Sequence, residues 1–346
     1  MQMQVHGGDI YSKAYRLDFS TNINPFGMPE SLRQAAIKGI NASIHYPDVQ
    51  CRELINAIAK KEQLPSEWII CGNGAAELLF SLVSAKKPKK TLLVSPGFAE
   101  YEQALKTVNC DIGYYELTKE RGFLLGEDYL ESLQQNLDMV FLCNPNNPTG
   151  LLIPTEILEK IVDICKEKQI FLVLDECFLE FISDELMDSQ KKLLEEMPNL
   201  FILKAFTKMY GMPGLRLGYG LCSDICLLEQ MHQMTQPWNV SVPAQFAGAA
   251  ACKETDFAVK TRIYIAQERE YLSKELKRLK FTVYDSQANY IFFEAPKNLW
   301  DLCNKEGILI RDCSNYRGLT TGYYRIAVKT REENEELIRV LSKCYG

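Results

Sequence analysis

The sequence contains no C-x-x-C pair, no extended block of basic residues, and no apolar run near the roughly 18 to 20 residues that cross a bilayer. Each absence excludes a class of protein. Without an extended basic block, and with a formal charge of −6, the surface is not suited to neutralising a nucleic-acid backbone or coating an anionic membrane. A small-molecule partner is the expectation. The 12 cysteines are scattered singly, mostly inside apolar segments, so neither a disulfide framework nor a metal site is expected. Buried thiols in a reducing compartment fit that usage. The opening MQMQVHGGDIYSK lacks a basic stretch followed by an apolar one, and a cytoplasmic location is expected. There is no internal repeat, low-complexity segment or long flexible linker.

What is present is a 346-residue chain with 47% hydrophobic and 24% charged residues, an ordinary globular balance. That length exceeds one small core, so a large domain with a smaller companion is expected. Short apolar runs at 91–95, 110–115, 139–143, 170–175, 200–204 and 216–222 alternate with helix-like segments around 53–61, 99–107, 155–168 and 224–233. Strands apolar throughout, separated by helices, predict an α/β domain whose mainly parallel sheet is covered on both faces. After Pro243 the pattern changes to a long helical stretch reaching about residue 279. Strands near 281–284 and 289–294, a helix near 297–305, a strand at 325–328 and a closing helix follow, which predicts a smaller α+β domain. The expected divisions are an N-terminal arm over 1–30, a large domain over 31–240 and a small domain over 241–346.

Four segments carry chemistry. MVFLCNPNNPTG ends an apolar strand in a turn that presents Asn144, Asn146 and Asn147 where open α/β sheets bind ligands, although Asn and Pro are also ordinary turn residues. IFLVLDECFLEF places Asp175 and Glu176 at another strand end, where a carboxylate requires a partner such as a protonated ring nitrogen or a Mg²⁺ ion. LFILKAFTKMYGMPGLRLGYG sets Lys208 beyond a third strand with Arg216 eight positions later. A lysine beside a second cation deprotonates more readily, whereas an isolated loop lysine is only a solvated charge. WIICGNGAAELLFSLV supplies Gly72 and Gly74 at the start of a helix, where backbone N–H groups can approach a phosphate or simply form a tight turn.

In order and character these segments resemble the active-site set of fold-type I pyridoxal-phosphate enzymes, the aspartate aminotransferase-like fold. The resemblance covers nearly the whole chain. It is nearest to the class-II aminotransferase-like group, which contains enzymes that transaminate histidinol phosphate and enzymes that decarboxylate O-phospho-L-threonine in cobalamin biosynthesis. The segments HGGD (His6 to Asp9), DFSTNINPFGMP (from Asp18), SPGFAEY (from Ser95), QPWNVS (from Gln236) and ILIRDCSNYRGL look like the decarboxylases. Aminotransferases of the group usually read N-E-N-P where this chain has Asn22, Ile23, Asn24 and Pro25. They read D-E-A-Y where it has Asp175, Glu176, Cys177 and Phe178.

The resemblance implies pyridoxal 5'-phosphate as cofactor and assigns roles by position. Lys208 is the lysine that holds the cofactor, and Asp175 faces its ring nitrogen. Gly74, Ala75, Ala76, Thr207 and Arg216 form the phosphate cup, Phe98 stacks on the ring, and Asn147 bonds the ring hydroxyl. Tyr46 reaches the cofactor of a neighbouring subunit, which implies a homodimer with shared active sites. His6, Asn24, Arg311 and Arg325 are the substrate-binding candidates.

Two positions depart from the pattern. Ala205 stands where relatives commonly carry Ser or Thr, and Phe178 replaces a Tyr that often bonds the ring hydroxyl. His45 and His232 receive no role beyond surface or packing. The expected activity is decarboxylation of O-phospho-L-threonine to (R)-1-aminopropan-2-yl phosphate. The alternatives are amino-group exchange with 2-oxoglutarate and a catalytically inactive cofactor-binding protein.

Overall fold

The computed structural model describes residues 6–133, 136–183, 186 and 188–345, so the first five positions of the expected arm lie outside the described residues. Its strands are β1 (Leu17–Asp18), β2 (Ile69–Gly72), β3 (Lys90–Ser95), β4 (Asp111–Glu116), β5 (Met139–Cys143), β6 (Phe171–Asp175), β7 (Leu200–Ala205) and β8 (Gly218–Leu221). They continue with β9 (Thr282–Val283), β10 (Tyr290–Glu294), β11 (Ile308–Leu309), β12 (Arg311–Asp312) and β13 (Tyr323–Ala327). The helices are α1 (Glu30–Ala42), α2 (Arg52–Glu62), α3 (Ala75–Lys86), α4 (Ala99–Lys106), α5 (Tyr129–Ser132), α6 (Thr155–Glu167), α7 (Phe206–Met209) and α8 (Ile225–Gln233). The last four are α9 (Val242–Ala251), α10 (Thr255–Arg278), α11 (Leu299–Lys305) and α12 (Arg331–Tyr345).

The large sheet has seven strands in the order β2-β8-β7-β6-β5-β3-β4, parallel except for β8, which runs antiparallel to both neighbours. Residues of β5, β6 and β7 are buried throughout, as a sheet covered on both faces requires. Because successive side chains point to opposite faces, each strand feeds two apolar layers. Phe171, Val173, Phe201 and Leu203 pack with Leu78, Leu82 and Leu228 of α3 and α8. Leu172, Leu174, Leu200 and Ile202 join the opposite layer, with Ile161 of α6 and Leu54 of α2. Helix α6 buries Ile157, Leu158, Ile161, Val162 and Cys165, a single stripe at helical spacing. Each of its larger aliphatic side chains stabilises the fold by about 1.5–3 kcal/mol on burial.

The expected long helix after Pro243 is two helices, α9 and α10, separated at 252–254. Helix α9 packs on α1 so closely that a Cβ on Gly39 would lie 2.6 Å from the Pro243 Cα. The expected division at residue 241 therefore passes between α9 and a helix it packs against. Beyond α10, an antiparallel sheet in the order β12-β13-β10-β9 forms the smaller layer. The arm is tied to this part, since β1 pairs in parallel with β11. Ala327 N–H also donates to the Phe19 carbonyl at 2.8 Å. No helix among the described residues is long and apolar enough to cross a membrane.

Candidate active site

Parallel strands deliver their carboxyl ends to one edge, and the loops leaving β2, β3, β5, β6 and β7 surround a cavity of about 730 Å³. The arm and β12–β13 close it from the other side. Of the expected site residues, His6, Ala75, Ala76, Phe98, Asn147, Asp175, Phe178, Thr207, Lys208, Arg216, Arg311 and Arg325 line this one space.

Asp175 is the last residue of β6 and is buried. Its Oδ2 accepts the Tyr101 O–H at 2.6 Å and its Oδ1 accepts the Cys177 N–H at 2.9 Å. Lys208 lies in the short helix α7 directly after β7. Burial, with Arg325 and Arg216 nearby, pushes its ammonium below the ordinary lysine range, so a larger share is the neutral nucleophile.

Opposite Lys208, Gly74 caps the N-terminus of α3 with φ +87, a backbone conformation that favours glycine. A Cβ added there would lie 2.5 Å from Nη2 of Arg216, so only a glycine admits the guanidinium against the helix end. Arg216 itself has φ 57, an uncommon conformation for a non-glycine residue and of the kind that clusters at functional sites. The helix end and the guanidinium thus meet at one corner of a cavity that Thr207 also lines, a donor set suited to a phosphate dianion. Ala205 lines the same corner without a hydroxyl.

Arg311 and Arg325 are direct register partners across β12 and β13, and both are buried. Each is held by neutral oxygens. Arg311 donates to the Asp312 carbonyl at 2.6 Å and to Asn315 Oδ1 at 2.7 Å. Arg325 donates to Asn147 Oδ1 and, at 3.0 Å, to the Ser20 carbonyl, while its Nε is buried without a partner. Phe178 packs edge-on against Tyr290 at 5.0 Å between ring centres.

Two expected residues stand elsewhere. The Asn24 amide donates to the Met209 carbonyl at 2.7 Å and to the Thr261 hydroxyl at 2.9 Å, and its Oδ1 accepts the Phe26 N–H at 3.0 Å. With its backbone N–H on the Lys208 carbonyl at 3.1 Å, Asn24 buttresses the lysine segment from outside the cavity. Tyr46 is 79% exposed and stacks on Trp238 at 4.6 Å, away from this chain's own cavity.

Cavity residues that received no role from the sequence include Asn22, Glu100, Tyr101 and Tyr316. Tyr101 and Glu100 lie in SPGFAEY, Asn22 in DFSTNINPFGMP and Tyr316 in the RDCSNYRGL tail, so the signal was the motif without the contact. Among the described residues, buried Asn22 Oδ1 and Glu100 Oε2 have no hydrogen-bond partner, which marks the cavity as built around something that supplies one.

The aminotransferase class I and II family model matches residues 16–341, and the chain belongs to that family. It is 38% identical to the threonine-phosphate decarboxylase of Salmonella typhimurium, over 97% of this chain and 95% of that protein. The crystal structure of histidinol-phosphate aminotransferase from Clostridium acetobutylicum superposes with a TM-score of 0.89 at 30% identity, covering 95% of this chain and 99% of that one. L-threonine-O-3-phosphate decarboxylase from Porphyromonas gingivalis gives 0.82 at 24% identity over 95% and 99%, a likeness of fold. Family and fold together imply pyridoxal phosphate as the cofactor.

Proposed function

We propose that this protein is a pyridoxal-phosphate-dependent carboxy-lyase that converts O-phospho-L-threonine to (R)-1-aminopropan-2-yl phosphate, a step of cobalamin biosynthesis. The observation that carries the reading is the paired guanidiniums of Arg311 and Arg325, buried side by side and, among the described residues, bonded only to neutral oxygens. Around them the cavity sets five lysine and arginine side chains against three carboxylates. The 38% identity to the Salmonella enzyme supports the same substrate.

The residues present fit the cofactor: Lys208 as its anchor, Asp175 for the ring nitrogen, Asn147 for the ring hydroxyl, and Gly74, Ala75, Ala76, Thr207 and Arg216 for its phosphate. When bound, the cofactor supplies an electron sink for whichever Cα bond stands perpendicular to its ring. The protein's contribution is orientation. Arg311, Arg325 and His6 would hold the substrate phosphate, which would leave the amino-acid carboxylate without a guanidinium partner and free to be lost as CO₂. Lys208, with its proton affinity lowered, is placed to return a proton to Cα.

We further propose a cytoplasmic homodimer in which Tyr46 of one subunit reaches the other's cofactor phosphate. The exposed side chains of Ile40, Ile44, Tyr46 and Trp238 give that association an apolar face. The free cysteines suit a reducing compartment.

The test is to supply O-phospho-L-threonine without any keto acid and follow CO₂, beside histidinol phosphate with 2-oxoglutarate. Stoichiometric CO₂ is expected from the first. Glutamate from the second, with no CO₂ from the first, assigns the protein to the aminotransferases instead.

A further inference from the structure

Among the cavity carboxylates, Asp175 faces the cofactor position and Glu102 pairs with Lys106 on the exposed side of α4, which leaves Glu100 without a task. It stands in the first turn of α4, and its side chain is 16% exposed. One oxygen lies 3.5 Å from Nδ1 of His6, and the other is buried with no side-chain or neighbouring donor among the described residues. The charged groups facing it are His6 from the arm, Lys208 from the segment after β7 and Arg311 from β12. Two of these, His6 and Arg311, are groups assigned above to the substrate phosphate. A permanent anion at that place would repel the dianion those cations are there to hold. Burial raises the pKa of Glu100 despite these three cations, so it keeps a proton to higher pH than an exposed glutamate does. A protonated carboxyl is a hydrogen-bond donor, and its unpartnered oxygen then has a use.

We infer that Glu100 is a ligand of the substrate's phosphate group: with the site empty its carboxylate engages His6, and with phosphate bound it stands neutral and donates its O–H to a phosphate oxygen. The proton comes from solvent, one per phosphate bound at a pH where free Glu100 is ionised. His6 is released from the carboxylate in the same step and turns to the phosphate. This inference rests on the phosphorylated-substrate reading.

The experiment uses the cofactor-loaded enzyme and inorganic sulfate, an anion whose own charge is constant over the range examined. Sulfate affinity is measured by calorimetry from pH 5.5 to 8.5 for the wild type, Glu100→Gln, His6→Asn and the double variant. Gln keeps a donor but cannot titrate, so the advantage of Glu100→Gln over the wild type should widen as pH rises, to about tenfold tighter sulfate binding at pH 8.5. Adding His6→Asn should weaken sulfate binding in both the wild type and Glu100→Gln. Equal pH slopes in wild type and Glu100→Gln, weaker binding by Glu100→Gln at pH 8.5, or no sulfate binding by the wild type at pH 5.5 would each overturn the proposal. Failure of the decarboxylase reading is seen separately, as absence of CO₂ from O-phospho-L-threonine. Sulfate slopes unaffected by Glu100→Gln in an enzyme that releases CO₂ remove only Glu100.

Discussion

Two clusters of buried charge flank the ends of β6 and β7, and they are built on opposite plans. On one side, Lys204 reaches Glu62 at 3.4 Å and Glu176 at 3.7 Å, while Lys191 holds Glu62 at 2.8 Å. The Tyr219 hydroxyl donates to Glu62 at 2.6 Å, and Lys61 pairs with Glu180. Three lysines face three glutamates, and no buried polar side-chain atom among them lacks a partner. On the other side, around Lys208, cations outnumber carboxylates, and Asn22, Glu100 and Arg325 each keep a buried polar atom unsatisfied. Alternation along β7 sends Lys204 to the first cluster and Ala205 to the cavity. Charge that serves the fold closes on itself, and charge that serves a ligand is left open at a cost in stability.

The sharpest break between the two is expected at the lysines. Lys208→Ala should lower turnover on the order of 10⁴-fold or more while leaving the melting curve close to the wild type's, measured by CO₂ release and calorimetry. Lys204→Met should do the reverse. Removing the cation shared by Glu62 and Glu176 costs about 3–5 kcal/mol in urea unfolding, with kcat/KM of the folded fraction little changed. Substitution Arg325→Met should reduce kcat/KM by roughly 30-fold or more, as removal of a buried charged partner costs about 2–5 kcal/mol, with a smaller effect on stability. Tyr101→Phe withdraws a donor from a buried carboxylate and should weaken cofactor retention by about 1.5–3 kcal/mol, read by equilibrium dialysis.

The smallest effect is one of pH. Burial opposes ionisation of Glu62, but Lys204, Lys61 and Lys191 outweigh it and hold its carboxyl at about 2. Its contribution is therefore complete above the unfolded value of about 4.3 and is lost as pH falls toward 2. Unfolding free energy measured down that range should fall more steeply, and continue falling to lower pH, in the wild type than in Lys204→Met, whose Glu62 has less such stability to lose.

The same contrast governs what could be read from the chain. Strands β5, β6 and β7 were legible because each carries four or five consecutive apolar residues, MVFLC, FLVL and LFIL, which a doubly covered sheet demands. Strand β2 was not assigned, since IICG is four residues leading straight into the glycine turn. Helix α1 escaped notice because it buries only Leu32, Ala36 and Gly39, a weak stripe made of small residues so that α9 can approach. The break between α9 and α10 carries neither proline nor glycine.

At the site, strand-end residues such as Asp175, Lys208 and Asn147 were legible because their positions follow from the strands that carry them. Tyr101 was not, because it serves a carboxylate 74 residues away. Asn24, which its motif marked for the substrate, is tied by its hydrogen bonds to Met209 and Thr261 behind the lysine.

The central claim is that the open charges of Arg311, Arg325 and His6 exist to hold a phosphate. It is tested most directly by comparing kcat/KM for O-phospho-L-threonine and L-threonine on the same enzyme. If those charges hold the phosphate, L-threonine should be poorer by on the order of 10³-fold or more, because its hydroxyl leaves both buried guanidiniums without an anion. Equal kcat/KM for the two compounds would contradict the account.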